Sequence, residues 1–441
     1  IRRNLITRNS GIMGGGGITI FGGADGYELA GNRICGNLSS WSGGGVSHFG
    51  RSDGGLIEAN EIIFNEVFYG GNQGGNGGGL SVAGEPPVGD DPLGPGTGSV
   101  MINANLIQGN LAGSNNGGGI SVLRANGMDV LTAGSPPMDW YTIDITNNII
   151  ANNTAAYTGG AISLQDAARV RIMHDTITGN DTTATGQAAF TTGAYDQSVP
   201  HVAGLAAYVH SPALLSAIGA GVDPEYAGFA NPILENTILA HNRAFYWEAD
   251  LNNGLGGLLP ALGRYWDLGV LGGDGSERLD PRFCLLTAIT EYHPSNQAGA
   301  AGFVADYSND YLTAATIDEG GTFISVTLEP LTTLYGDYHL RDTSPVIDAG
   351  DAAGSAMVSR LQWDVDFEVR PSQGAPDIGA DEFTHAARGF DGLGEPGGFT
   401  PITRNTSRIR LDEFGDSRLQ PARSYPPQSI SLNPISSVGG Y

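Results

Sequence analysis

The sequence predicts an all-β solenoid: a chain wound into stacked coils, closed by irregular final coils and a cap, and followed by an extended tail. Three observations predict it. A short asparagine-bearing element recurs at a nearly fixed spacing. A glycine run recurs between its copies. Apolar residues alternate in the short segment after each glycine run. A repeat of roughly 20–50 residues marks a structure in which each unit packs only on its neighbours.

The asparagine element reads Asn, a variable residue, Ile, two further residues, Asn. It occurs as Asn4–Asn9, Asn32–Asn37, Asn60–Asn65, Asn105–Asn110 and Asn148–Asn153. Asp175–Asn180 replaces the first Asn by Asp, and Thr237–Asn242 has drifted further. Asn4, Asn32 and Asn60 lie 28 residues apart, and Asn148 and Asp175 lie 27 apart. The longer gaps contain insertions.

The second element is a glycine run, as in Gly43-Gly44-Gly45, Gly77-Gly78-Gly79 and Gly117-Gly118-Gly119. After it the apolar residues alternate: Ile18/Ile20, Leu80/Val82, Ile120/Val122, Ile162/Leu164. Period two means a strand with one buried face, and Thr19, Ser81, Ser121 and Ser163 take the outward positions. A helix would not tolerate three consecutive glycines. Each unit holds two or three strands and is too small to make a core alone, so stacking in register must supply one.

Asn9, Asn37, Asn65, Asn110, Asn153 and Asn180 are read as a structural turn ladder. Asparagine tolerates the left-handed conformation that a sharp corner needs. Stacked amides also bond to one another in other stacked β structures. The glycines permit tight bends and close approach of coils.

These motifs resemble right-handed parallel β-helix proteins of the secreted, pectate-lyase-like type, over roughly residues 1–245. That fold hosts lyases, hydrolases, adhesins and fibres, so the resemblance implies a fold and leaves the activity open. A second resemblance lies further on. Gly336-Asp-Tyr-His-Leu340, Ser344-Pro-Val-Ile-Asp-Ala-Gly-Asp351, Asp364, Asp366, Arg370-Pro371 and Pro376-Asp-Ile-Gly-Ala-Asp-Glu-Phe383 look like the closing module of bacterial cell-surface β-helix proteins. It implies an extracellular or cell-surface location.

Three regions follow. Residues 1–245 are coils, with inserted loops at 84–98, 124–140 and 181–230. Residues 246–383 are irregular final coils and the closing module. Residues 384–441 form the tail. The first two loops both follow the glycine-led strand, so they leave from one edge of successive coils. Such loops either build a contact surface, with Trp140, Tyr141, Tyr195, Tyr208 and Tyr226 nearby, or cover a sheet face.

Composition narrows the partners. The net charge is −25, and all 21 basic residues are arginine. Residues 384–441 carry six Arg against five acids, a balance of +1, so residues 1–383 carry −26. This base-poor chain argues against nucleic acid, which needs a basic face. With no lysine in the chain, lysine nucleophiles and Schiff bases are excluded. No run of 18 apolar residues exists, so no helical membrane span is expected. Cys35 and Cys284 can pair or stay as small buried hydrophobes.

The candidate chemistry is sparse. Asp166 with Arg169 and Arg171 is the nearest approach to the clustered acid and base of a β-helix lyase, and the same residues read as surface charges. Asp348, Asp351, Asp364 and Asp366 offer oxygen ligands for Ca²⁺, the one cofactor considered. They also read as turns and ion pairs around Arg370, which is preferred because no EF-hand or nonapeptide calcium spacing occurs. His48 falls in phase with inward positions, and no HxH or HExxH pair is present.

The expected function is that of an extracellular structural or binding protein, with polysaccharide as a candidate partner. Ile1 falls inside a patterned segment, which reads as part of a longer chain with an open first coil. Self-association through that coil and the tail, up to a filament, is therefore expected. The alternatives are a carbohydrate-active enzyme working beside the inserted loops and a scaffold module of a multidomain surface oxidase.

Overall fold

A computed structural model describes residues 1–68, 74–131, 136–219, 226, 228–314, 325–329, 336–372 and 374–384. The chain passes repeatedly through four sheets in the same order. One circuit comprises Arg33–Cys35, Leu38–Ser39, Val46–Phe49 and Gly55–Glu58. The next comprises Glu61–Ile63, Glu66–Val67, Leu80–Ala83 and Val100–Asn103. Each strand pairs in parallel with its counterpart one circuit on. Among the described residues the sheets contain nine, ten, seven and six strands, taken here as the first to fourth in circuit order. The result is mostly β, with long parallel sheets stacked in register, an arrangement consistent with a parallel solenoid.

The regular circuits have four strands, where alternation in the sequence shows two or three. The second-sheet strands are only two residues long, too short to display a period.

The inward positions form continuous columns. Ile34, Ile62, Ile107, Ile150, Ile177, Leu239 and Leu286 are aligned and buried. Val46, Leu80, Ile120, Ile162 and Leu205 form another such column. His48 lies in the third sheet, level with Ile20 and Val82. Its Nδ1 accepts from the Tyr27 hydroxyl at 2.9 Å, and Nε2 faces the carbonyls of Gly50 and Thr97 at 2.8 and 3.1 Å. A buried imidazole is tolerated there because both ring nitrogens are satisfied.

The asparagines form two ladders. Asn37 Oδ1 accepts from the backbone N and Nδ2 of Asn9 at 3.0 and 2.9 Å. Asn37 in turn donates from N and Nδ2 to Asn65 Oδ1, and from Nδ2 to the Ile6 carbonyl. The pattern continues through Asn110, Asn153 and Asn180, then beyond the expected end to Asn242 and Asp267. A second ladder joins Asn4, Asn32, Asn60, Asn105, Asn148 and Asp175.

The expectation that these asparagines turn the corner is corrected. The left-handed residue is the one before: Arg8 (φ 57°), Gly36 (62°), Phe64 (53°), Gly109 (66°), Asn152 (57°) and Gly179 (63°). The corner turned one residue early lets the ladder amide point inward and bond along the stack. Within the glycine runs, Gly43 has φ 70°. A Cβ on Gly44 would strike the next circuit's backbone at Gly78 and Glu66. The run is therefore a left-handed corner followed by a close approach.

Cys35 and Cys284 are both free thiols. Cys284 is packed in the core. Among the described residues no helix is long and apolar enough to cross a membrane.

The final coils continue the stack through Leu268–Leu271, Leu285–Leu286 and Gln297–Ala298. The closing module then does something other than cap the end. It lies against the outer face of the first sheet. The outward positions of that sheet run Leu5, Arg33, Glu61, Leu106, Ile149, Thr176, Ile238, Leu285. Charged residues stand at Arg33 and Glu61, and from Leu106 onward the positions are apolar except Thr176. Ile149, Ala151, Ile238, Ala240 and Leu285 form one buried cluster with Phe303, Tyr338, Leu340, Val346 and Ile378. Covering Ile149, Ile238 and Leu285 stabilises the docking by roughly 1.5–3 kcal/mol each. The tail beyond Thr384, and the segments 315–324 and 330–335, lie outside the described residues.

Candidate functional site

Two places gather side chains with chemistry: the flank built by the inserted loops, and the outer surface of the closing module.

On the loop flank the insertions pack on one another. Leu93, Val130, Trp140, Ala168, Leu214 and Ile218 form a separate buried cluster. Leu93 comes from the first loop, Val130 and Trp140 from the second, and Leu214 and Ile218 from the third. The last two lie on the helix Pro212–Ile218, whose start is capped by the Ser211 side chain. Trp140 is 3% exposed and meets Tyr226 edge-on, with ring centroids 5.8 Å apart. The indole is therefore the middle of this small core.

The polar residues beside it hold the loops. Asp166 adopts φ 49° and accepts from the Ser211 backbone N at 2.6 Å. Its carboxylate also lies 3.9 Å from His210 Nδ1. Burial pushes His210 down to about 4, against the opposing pull of Asp166. Arg169 donates to the Trp140 carbonyl at 3.1 Å and to the Met138 carbonyl. Tyr141 receives a hydrogen bond from Arg51 Nε at 2.7 Å, and its backbone N donates to Asp129.

The other expected binding residues lie elsewhere. Arg171 makes a two-pronged pair with Asp144 on the fourth sheet, at 2.5 and 2.8 Å. Tyr208 ends a third-sheet strand, where burial pushes its phenol up. Tyr195 is 51% exposed, on a hairpin that extends the second sheet. Asp166, Arg169, Trp140 and Tyr141 thus share a flank, while Arg171, Tyr195 and Tyr208 sit on three different sheets. Arg171 and Arg169 are adjacent in a strand pattern but turn to different partners.

The closing module surrounds Arg370. Its guanidinium is buried and contacts Glu382 at 3.3 Å, the Gly379 and Ala380 carbonyls, and Asn147 Oδ1. Of the four acids considered for calcium, Asp351, Asp364 and Asp366 are engaged through their carboxylates. Asp364 is buried and accepts from the backbone N of Asp366, Glu368 and Glu382. Burial pushes it well above the carboxylate range, with the Asp366 charge adding to the effect. Asp351 caps the turn of helix Ala352–Ser355 through Gly354 N. The Asp348 backbone N donates to Asp377. Asp366 reaches His339 Nε2 at 2.6 Å.

His339 was not singled out from the sequence. Its other nitrogen, Nδ1, lies 2.5 Å from Asp337 Oδ1. Burial alone would lower its pKa. The bonds to Asp337 and Asp366, with the charges of Asp366 and Asp381, outweigh that and hold the imidazolium up to about 10. One signal was available. Asp337 and His339 are two apart in the strand Asp337–Leu340, hence on one face. The third partner, Asp366, lies 27 residues on and no local pattern points to it.

No family model matches this chain, and comparison with curated proteins and with solved structures likewise finds no match.

Proposed function

We propose that the chain is a right-handed parallel β-helix of the secreted, pectate-lyase-like type that serves outside the cell as a structural and binding scaffold. The handedness follows from the rule that parallel crossover connections are right-handed in about 98% of cases. The carrying observation is the loop flank. Three insertions share a private core around Trp140, and Asp166 and Arg169 are used to fix loop backbone. That supports a rigid lateral surface better than a reacting centre. Tyr141, held by Arg51 beside that core, is the side chain through which this surface would meet a polysaccharide.

The same reading includes self-association, with the tail of +1 balance meeting an acidic body. A glycan array followed by product analysis tests the scaffold. Retention of a glycan without cleavage, weakened by Tyr141→Ala, is the expected result. Release of shortened or unsaturated sugars would replace it with the enzyme reading. Light scattering across a salt series tests self-association, which should weaken as salt screens the charges.

A further inference from the structure

We propose that His339, Asp366 and Asp381 form a zinc-type divalent metal site on the closing module, with Asp337 as the group that orients the imidazole. The ligand atoms of the three residues lie within 4.8 Å of one another. Atoms bound to one zinc ion at ~2.0–2.2 Å stand roughly 3.4 Å apart in a tetrahedral site. The pair His339 Nε2 and Asp366 Oδ2 is already closer, at 2.6 Å. A small outward rotation of Asp366, 39% exposed at its side chain, opens the space for the ion.

The arrangement has the supporting parts that a metal site needs. Asp337 takes the Nδ1 hydrogen at 2.5 Å, and Nε2, whose own proton faces Asp366 at 2.6 Å, becomes the coordinating nitrogen when the ion displaces that proton to solvent. A carboxylate behind a metal-bound imidazole is the usual orienting partner. The same Asp337 oxygen accepts from the His339 backbone N at 3.1 Å, fixing the carboxylate itself. Asp381 is 5% exposed and is held by the Leu340 backbone N at 2.7 Å. One ligand is therefore anchored, one is oriented, and one is on the solvent side, where a water completes the shell.

The ligand chemistry selects the ion. An imidazole with two carboxylates suits zinc and its neighbours, whereas calcium and magnesium prefer oxygen alone. Charge favours a dication as well. Asp337, Asp366 and Asp381 surround one imidazole, and the Arg370 guanidinium is engaged with Glu382 and with backbone carbonyls.

The test is titration of the metal-stripped full chain with Zn²⁺ by calorimetry, with Ca²⁺ as the control ion. Co²⁺ supplies a visible absorption signature of a site with fewer than six ligands. Wild type should bind one Zn²⁺ that both His339→Gln and Asp366→Asn weaken at least about tenfold. Asp337→Asn should weaken it about 10–100-fold while leaving the ligand count unchanged. Asp366→Asn is the variant that decides if His339→Gln unfolds the module, because Asp366 is on the surface. Circular dichroism verifies that it is folded. Absence of saturable Zn²⁺ binding by wild type overturns the proposal. So does equal affinity in folded Asp366→Asn, or Ca²⁺ binding as tightly as Zn²⁺.

Discussion

Arg370 Nη1 donates to Asn147 Oδ1 at 2.5 Å, across 223 positions of the chain. Asn147 is a left-handed corner residue of the stack, with φ 56°. The most buried cation of the closing module therefore grips a corner of the coils. Nearby, the Ala380 backbone N donates to Thr176 Oγ1 at 3.0 Å, and the Gly379 N to the Asn236 carbonyl at 2.9 Å. The module is keyed to the flank by polar contacts at the rim of an apolar patch.

Arg370→Met should release that grip. It leaves Glu382, 1% exposed at its side chain, without its guanidinium. Removing one member of a buried pair costs about 3–5 kcal/mol. The expected outcome in urea is an early transition of the closing module ahead of the coils. The Trp363 fluorescence change, isolated by Trp363→Phe, assigns that transition. A single unshifted transition would contradict the keying role.

The ladders should be strong in the middle and weaker at Asn4. Asn65 accepts from Asn37 and donates to Asn110 Oδ1 and to the Ile34 carbonyl. Asn65→Ala strands several buried groups at about 1–3 kcal/mol each, less whatever water recovers. A loss of about 2–5 kcal/mol is expected. Asn4 is exposed and donates only one way along the ladder. Asn4→Ala should cost under about 1 kcal/mol. Equal effects in denaturant midpoints would refute a stacked ladder as the source of stability.

Asp175 takes an asparagine position in the buried ladder and accepts from Asn148 N and Nδ2 at 2.7 and 2.9 Å. Burial pushes it up to about 7, against those hydrogen bonds. Between pH 4 and 7 the unfolded chain has lost this proton and the folded chain keeps it. Stability from this group therefore falls as pH rises through that window. Asp175→Asn removes the penalty. The variant should be more stable than wild type at pH 8, and the two should converge toward pH 4. Denaturation series at both values check this, and a gap that widens toward pH 4 would reverse the assignment.

The ladder was legible because its partners are related by the repeat itself. Asn37 and Asn65 are 28 apart, and their neighbours share that offset. Even the insertion that stretches Asn65 to Asn110 to 45 residues leaves the pairing intact. The loop flank was legible only as a position on one edge. Its two readings, surface or cover, differ in where Trp140 points, and a tryptophan between loops reads the same in either case. The His339 constellation was half legible, through the strand spacing of Asp337 and His339.

The sequence by itself determined the stack: circuit length, strand register, the inward columns and the glycine corners. Each of these is a contact between one circuit and the next, so the periodic pattern encodes it directly. Only the tertiary structure decided what covers the flank. Arg33, Glu61, Ile149 and Ile238 occupy equivalent outward positions. Alternation shows that they face out, but not what they face. The closing module meets Ile149 and Ile238 through contacts that have no repeat, such as Tyr338 with Ile238 in one cluster and Arg370 with Asn147. Burial of an apolar stripe selects its partner by shape and by satisfied polar groups at the edge, and those come together only when the chain is folded.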